Sequence, residues 1–173
     1  MGRRRGTMEV MEITDGFWKD KKVLVKGHNG FKGSWLSLLL SNLGAKVIGA
    51  SIKIPSEPAL FHQAKISEHV TDLECDIRDL DSLKNIFRKH SPEIVFHLAA
   101  QPLAGYSFEN PIETSFLKLD CTKSYSRLGW SPIWDIHKTI EAIANWYKAE
   151  NDKDDIYRVT MNQINNFLDQ IDH

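Results

Sequence analysis

Three glycines, Gly27, Gly30 and Gly33, stand three residues apart between an apolar segment and leucines at helical spacing. A helix N-terminus offers unpaired backbone N–H groups and a partial positive charge, and glycine lets an anion come close to them. We expect Gly27 to allow a tight turn, Gly30 to contact a phosphate, and Gly33 to let the helix pack closely on the strand. The run predicts a dinucleotide-binding turn in an α/β sheet.

Strand-like and helical patterns alternate along the first hundred residues. We predict strands at Lys22–Lys26, Lys46–Ser51, 70–75 and 93–99, and helices at 31–43, 59–66 and Leu80–His90. This alternation predicts an α/β fold with a Rossmann-like parallel sheet of about four strands, in the order 3-2-1-4 and incomplete, followed by C-terminal helices at 136–148 and 161–171. We expect the fourth strand to be buried on both faces and its free edge to be covered by those helices or by a second copy of the chain, most simply in a homo-oligomer.

Composition excludes several classes of partner. The chain has 173 residues, 42% of them hydrophobic, and a formal net charge of −1, which suits a soluble domain with no general attraction to nucleic acid. Two cysteines are too few for a disulfide framework, and no apolar run approaches the ~20 residues of a membrane span. The acidic linker at 151–155 lacks the glycine and the terminal glutamate of a calcium loop. We expect a cytoplasmic protein with no nucleic-acid, membrane or metal partner.

Four motifs carry a closer resemblance. They are Phe17-Trp18, the Phe31-Lys32-Gly33-Ser34-Trp35 end of the glycine run, Asp76-Ile77-Arg78-Asp79, and residues 92–103. These motifs resemble the CDP-glucose 4,6-dehydratases, which belong to the extended short-chain dehydrogenase/reductase family. The resemblance runs from about residue 17 to 114 and resumes from 117 to 148 with segments that look like the family's C-terminal part. The chain therefore looks internally deleted near Ser115, with an N-terminal extension at 1–16, a NAD(P)-binding half-domain at 17–114, and a helical segment at 117–173.

The resemblance implies a cofactor, NAD with NADP as the alternative, and a nucleotide-sugar substrate. The cofactor-binding residues it implies are Gly27, Asn29, Gly30, Phe31, Lys32, Gly33, Asp76, Ile77, Leu98, Ala99, Ala100 and Gln101. Asp76 and Ile77 match a pair that resembles an adenine clamp. Lys53 departs from the family, because it stands where an acidic residue would hold the adenosine ribose; a lysine has donors only and would favour a 2′-phosphate.

A catalytic site is harder to find. In the family, a tyrosine assisted by a lysine four residues later removes the proton of the sugar C4 hydroxyl during hydride transfer. The four tyrosines here are followed at that place by Asn110, Gly129, Asn151 and Met161. We expect His28 and His97 to be a loop and a core histidine. Three hypotheses remain open: a dehydratase homologue that is inactive as a single chain, a nucleotide-binding pseudoenzyme or interaction subunit, and a non-functional gene relic.

Overall fold

A computed structural model describes residues 16–54, 58–99 and 122–171. Its strands are β1 (Lys22–Lys26), β2 (Lys46–Ser51), β3 (Thr71–Glu74) and β4 (Ile94–His97). All neighbouring strands are parallel, and their order is β3-β2-β1-β4. The predicted fold class and strand order are therefore confirmed, with β3 and β4 shorter than predicted.

Six α-helices are described. They are α1 (Phe31–Asn42), α2 (Leu60–Gln63), α3 (Leu80–His90), α4 (Thr122–Leu128), α5 (Ile136–Asn151) and α6 (Ile156–Leu168), and a 3₁₀ turn at Ile66–Glu68 follows α2. Asp79 caps α3, accepting from the backbone N–H groups of Asp81 and Ser82. The last helix begins five residues before the predicted start because Asp155 accepts from the Arg158 N–H and caps it there.

The centre of the sheet is formed by β1, in which Val23, Leu24 and Val25 are fully buried. Strand β4 differs, because its residues alternate between half-buried and exposed and Val95 is 43% exposed. The prediction that this strand is buried on both faces was therefore wrong. Ile94 and Phe96 pack beside Trp18 on one face, and on the other face α3 leaves Val95 uncovered.

The chain divides into two compact units, one formed by residues 1–99 and 144–173 and the other by 100–143. In the first unit the C-terminal residues complete a core cluster on the α1 side of the sheet. Leu38 of α1, Phe61 of α2, and Ile164 and Leu168 of α6 are all buried in this cluster. The C-terminal helix thus packs against α1 and α2, so of the two alternatives for covering β4 the one that uses this helix is wrong.

Trp146, near the end of α5, anchors this packing. Its side chain is 4% exposed, and its indole N–H donates to Thr160 Oγ1 on α6 at 3.1 Å. The ring also meets Phe31 edge to face, with ring centroids 6.0 Å apart. The first residue of α1 is therefore in contact with the C-terminal helices.

The described part of the second unit contains α4 and the first half of α5. In this part of the chain Trp130 is 51% exposed. Lys138 lies over the Trp134 ring, 5.7 Å from its centroid. The expected domain boundary between residues 114 and 117 lies outside the described residues, as do residues 1–15 of the expected extension at 1–16. None of the helices in the described ranges combines the length and apolarity needed to cross a bilayer.

Candidate nucleotide-binding site

The glycine loop joins β1 to α1 at the carboxyl edge of the sheet. Gly27 adopts φ +85°, and a Cβ there would come within 2.8 Å of the Ala99 amide nitrogen. A Cβ on Gly33 would lie 2.8 Å from the carbonyl carbon of Gly27 and closer still to its oxygen. Both glycines are therefore required by contacts within the chain, in the turn and packing roles that the motif predicts.

Gly30 is different, because its backbone is extended (φ −75°, ψ 166°) and a Cβ would meet only the Gly27 oxygen at an ordinary 3.5 Å. It is the N-cap residue of α1, and no side chain caps the helix. The first turn of α1 also contains no acidic residue. The chain itself thus gives no reason for glycine at position 30, and it leaves open space at the positive end of the helix.

Asn29 fixes the glycine loop to the end of β2. Its side-chain Nδ2 donates to the Ile52 carbonyl oxygen at 2.6 Å, and the Gly27 N–H donates to the Ala50 carbonyl at 3.0 Å. These two bonds hold the start of the loop after β2 beside the glycine loop.

A buried histidine in the glycine loop forms hydrogen bonds to residues of β2 and β3. The His28 ring is 1% exposed; its Nδ1 lies 2.8 Å from Ser51 Oγ and its Nε2 lies 2.8 Å from Asp72 Oδ1. A neutral ring with its proton on Nε2 satisfies both contacts, donating to Asp72 and accepting from the Ser51 hydroxyl. Burial lowers the pKa of His28, and the Asp72 carboxylate opposes that shift. The ring also meets Phe61 edge to face, with centroids 5.2 Å apart.

The motifs led us to expect only a loop histidine at position 28, so this network was missed. His97, predicted to be a core histidine, is instead exposed at the end of β4, and that prediction was wrong.

Asp76 and Ile77 follow β3 at the same edge of the sheet. Arg78 folds back onto the Asp76 carboxylate, donating from its backbone N–H, Nε and Nη2 at 2.6–3.1 Å. These hydrogen bonds lower the pKa of Asp76 to about 2. The carboxylate is therefore ionised near neutral pH, and Ile77 beside it is 39% exposed. Both carboxylate oxygens accept from Arg78, so an adenine clamp at Asp76 would require Arg78 to give up one of these hydrogen bonds.

The remaining predicted site residues lie near the end of β4 and the start of α1. Leu98 and Ala99 follow β4, and their backbone atoms lie close to Gly27, where a Cβ on that glycine would meet them. Phe31 and Lys32 are exposed in the first turn of α1. Ala100 and Gln101 lie outside the described residues. In the ranges that the structure describes, no group of three or more His, Cys, Asp or Glu residues could hold a metal ion.

A parallel sheet in the order 3-2-1-4, with a glycine loop between the first strand and the first helix, defines a nucleotide-binding α/β fold of the Rossmann type. The chain belongs to the GDP-mannose 4,6 dehydratase family, whose model matches residues 24–118. The resemblance inferred from the motifs is therefore confirmed at the level of the family.

Individual relatives are similar over the same region. A CDP-glucose 4,6-dehydratase of Salmonella typhimurium is 48% identical over 102 residues, which are 59% of this chain and 28% of the relative. A UDP-glucose 4-epimerase of Halalkalibacterium halodurans is 37% identical over 91 residues, 53% of this chain and 25% of the relative. Among solved structures, an epimerase from Methanothermobacter thermautotrophicus matches with a TM-score of 0.44 and 32% identity, covering 60% of this chain and 30% of that one. The chain thus spans between a quarter and a third of each of these proteins.

Proposed function

We propose that this chain binds a nicotinamide dinucleotide at the glycine loop and, as a single chain, does not dehydrate a sugar nucleotide. The observation that carries the proposal is the open space at Gly30. Gly27 and Gly33 are required by the chain's own contacts, whereas glycine at position 30 is explained by a ligand phosphate at the start of α1.

Membership of the GDP-mannose 4,6 dehydratase family supports a nucleotide ligand. The 48% identity to a CDP-glucose 4,6-dehydratase supports a nucleotide sugar as the substrate of a complete relative. Asp76, which follows β3, would accept a hydrogen bond from the exocyclic amine of adenine once Arg78 gives up one of its hydrogen bonds to the carboxylate.

The proposed lack of turnover rests on the tyrosines. No tyrosine in the 173 residues is followed four positions later by lysine, and a phenol is a poor base at neutral pH without a neighbouring cation. Tyr125 and Tyr147 are exposed, and Tyr157 stacks on His69 with ring centroids 4.9 Å apart. We therefore favour a nucleotide-holding pseudoenzyme or an interaction subunit, with a gene relic as the alternative.

We also propose that the family's middle segment is absent between about residues 114 and 118. Reading the genomic DNA across these codons tests this directly. A continuous reading frame at this junction is the expected result, and a sequencing error or a frameshift there would contradict the internal deletion.

Calorimetry tests the binding proposal. NAD and NADP, each titrated to millimolar concentration, should give a saturable heat from at least one of the two. Gly30→Val should abolish it by placing a side chain in the phosphate space, and Gly30→Ala should weaken it less. Thermal melts of both variants check that the fold survives. Absence of heat with both dinucleotides would refute the proposal.

An activity assay tests the proposed lack of dehydratase activity. CDP-glucose with saturating NAD should yield no 4-keto-6-deoxy sugar, which is detected by its absorbance after alkali treatment. Product formed in proportion to protein concentration, and retained through further purification, would show that a catalytic group exists in the chain.

A further inference from the structure

We propose that a groove at the amino edge of the sheet binds a phosphate monoester through its dianionic phosphate group. The cationic and polar lining of this amino-edge groove includes Lys22, Lys46, Lys89 and His90. The glycine loop lies at the opposite, carboxyl edge, because β1 begins at Lys22 and ends at Lys26, about 13 Å further along the strand. The groove is therefore distinct from the proposed dinucleotide site and does not depend on it.

The amino-edge groove is large enough for a small organic molecule. Its volume is about 560 Å³, within the ~300–1,000 Å³ typical of small-molecule sites. The starts of β1, β2 and β3 and the end of α3 form its walls. A phosphate group fills only part of this space, so the remainder can hold the organic part of an ester.

The register of the sheet places two lysines side by side. Lys22 is in register with Lys46, so their Cα atoms lie ~4.8 Å apart and their side chains start from the same face of the sheet. That face is the one covered by α3, because Leu24 and Ile48, two residues further along these strands, pack with Ile86 of α3. Like charges on adjacent strands repel each other, and an anion between them relieves that repulsion.

The positive charges of the groove exceed its negative charges. Lys46 is paired with Asp20, with 2.8 Å between Nζ and Oδ1, whereas Lys22 and Lys89 form no ion pair with a described carboxylate. Among the described residues that line the groove, Glu68 alone carries a carboxylate. A concave surface with an excess of positive charge attracts a dianion.

Two features of the chain also act on these lysines. Lys89 lies in the last turn of α3, where it offsets the negative end of the helix dipole. Glu93 attracts Lys22, but its carboxylate already accepts from Lys21 Nζ at 2.7 Å and from the Lys22 backbone N–H at 3.2 Å. Neither feature places a second carboxylate in the groove.

A nitrogen of His90 provides an independent indication of a ligand. His90 is the last residue of α3, and its Nε2 is shielded from solvent without a hydrogen-bond partner among the described residues. Buried polar atoms without a partner are rare and unfavourable. The ring is only half-buried and lines the groove, so a rotation of the side chain brings Nε2 to a ligand. With its proton on Nε2, the ring then donates to a phosphate oxygen.

NMR titration at constant ionic strength locates the bound anion. The probes are inorganic phosphate and glycerol 3-phosphate, at about pH 7.5, where a phosphate with a second pKa near 6 is dianionic. We expect a saturable shift of the His90 ring signal, which is assigned by its loss in His90→Gln. The shift should persist in Gly30→Val, because the site is not the glycine loop. Glycerol 3-phosphate should bind more tightly than inorganic phosphate.

Calorimetry with the same two probes tests the lysines. Lys22→Gln and Lys89→Gln, at exposed positions, should each weaken binding about tenfold, because each removes one charge-assisted contact. Lys84→Gln is the matched control: Lys84 pairs with Asp81 near the start of α3, and its loss should leave the affinity nearly unchanged.

The histidine is tested by a matched pair of variants. His90→Phe keeps a ring without the nitrogen and should weaken binding, whereas His90→Gln keeps an amide donor and should retain more of it. Thermal melts check that each variant folds.

Each contrary outcome has its own meaning. Absence of saturable binding of both probes overturns the inference, as does a chloride titration that produces the same shift. Loss of phosphate binding in Gly30→Val places the anion at the glycine loop, which overturns this inference and leaves the proposed function standing. Equal weakening by Lys22→Gln and Lys84→Gln shows attraction by net charge alone and also overturns it. Equal affinity for the two probes overturns the assignment to an ester.

Discussion

The His28 ring occupies the space that a side chain on Gly49 would need. A Cβ built on Gly49 would lie 2.6 Å from His28 Nε2 and closer still to the ring carbons. Glycine in the middle of β2 is thus explained by the close approach of a ring from the neighbouring loop. The loop and the strand are fitted to each other, so a change in either affects both.

Gly49→Ala should destabilise the protein by about 1–3 kcal/mol, because the methyl group overpacks a buried site and forces His28 from its partners. Chemical denaturation measures the loss. Gly30→Ala is the matched control: a Cβ there has room, so only the smaller cost of replacing glycine by alanine at a helix N-cap is expected. Equal stability of the two variants would show that the His28 ring moves aside without cost.

The pH dependence of stability should report on His28. Because burial lowers its pKa, the unfolded chain takes up a proton first as the pH falls. The stabilisation is therefore fully present above the unfolded pKa of about 6.5 and is lost as the pH falls through the folded pKa. Denaturation at about pH 7.5 and pH 5 should show a decline that is smaller in His28→Gln. Asp76 does not contribute in this window, because its pKa is about 2. Identical declines in the two proteins would contradict the prediction.

Thr160→Val should destabilise the protein by about 1–2 kcal/mol, because it removes the acceptor of the buried Trp146 indole N–H while keeping the side-chain volume. A denaturation curve followed by tryptophan fluorescence provides the measurement. Thr71→Val, at an exposed position in β3, is the control and should have little effect. If both variants melt alike, the indole N–H finds another acceptor.

Light scattering at micromolar concentration should give a homodimer or a larger particle rather than the 19.8 kDa chain. Strand β4 stands at the edge of the described sheet, and Val95 is 43% exposed on its uncovered face. Such an edge favours association. Val95→Lys should shift the mass towards the monomer. A monodisperse 19.8 kDa particle with a cooperative melt would mean that the monomer is complete in itself.

The sheet could be predicted from the sequence because its signals are local. Strands β1 and β2 have the predicted bounds, since each is an apolar run ended by glycine-loop or polar residues. The start of α6 could not be predicted from the sequence, because Asp155 lies in an acidic cluster that is equally typical of a linker. Its role as a cap depends on where the helix docks.

The His28 network illustrates a different limit. The pattern of residues contained hints, because a glycine inside a strand marks a close approach and Ser51 and Asp72 are polar positions on neighbouring strands. Only the parallel register of β2 and β3 brings these residues to one ring. The partner of a buried polar group is set by tertiary contacts, and a single sequence does not specify them.

Because the core cluster contains both Leu38 of α1 and Leu168 of α6, its completion depends on the last helix to be synthesised. During translation the sheet strands leave the ribosome well before α6, so the part of this cluster that Ile164 and Leu168 cover stays exposed until about residue 168 has emerged. We expect nascent chains stalled before α6 to engage chaperones and to resist compaction, although every strand of the described sheet has already been made.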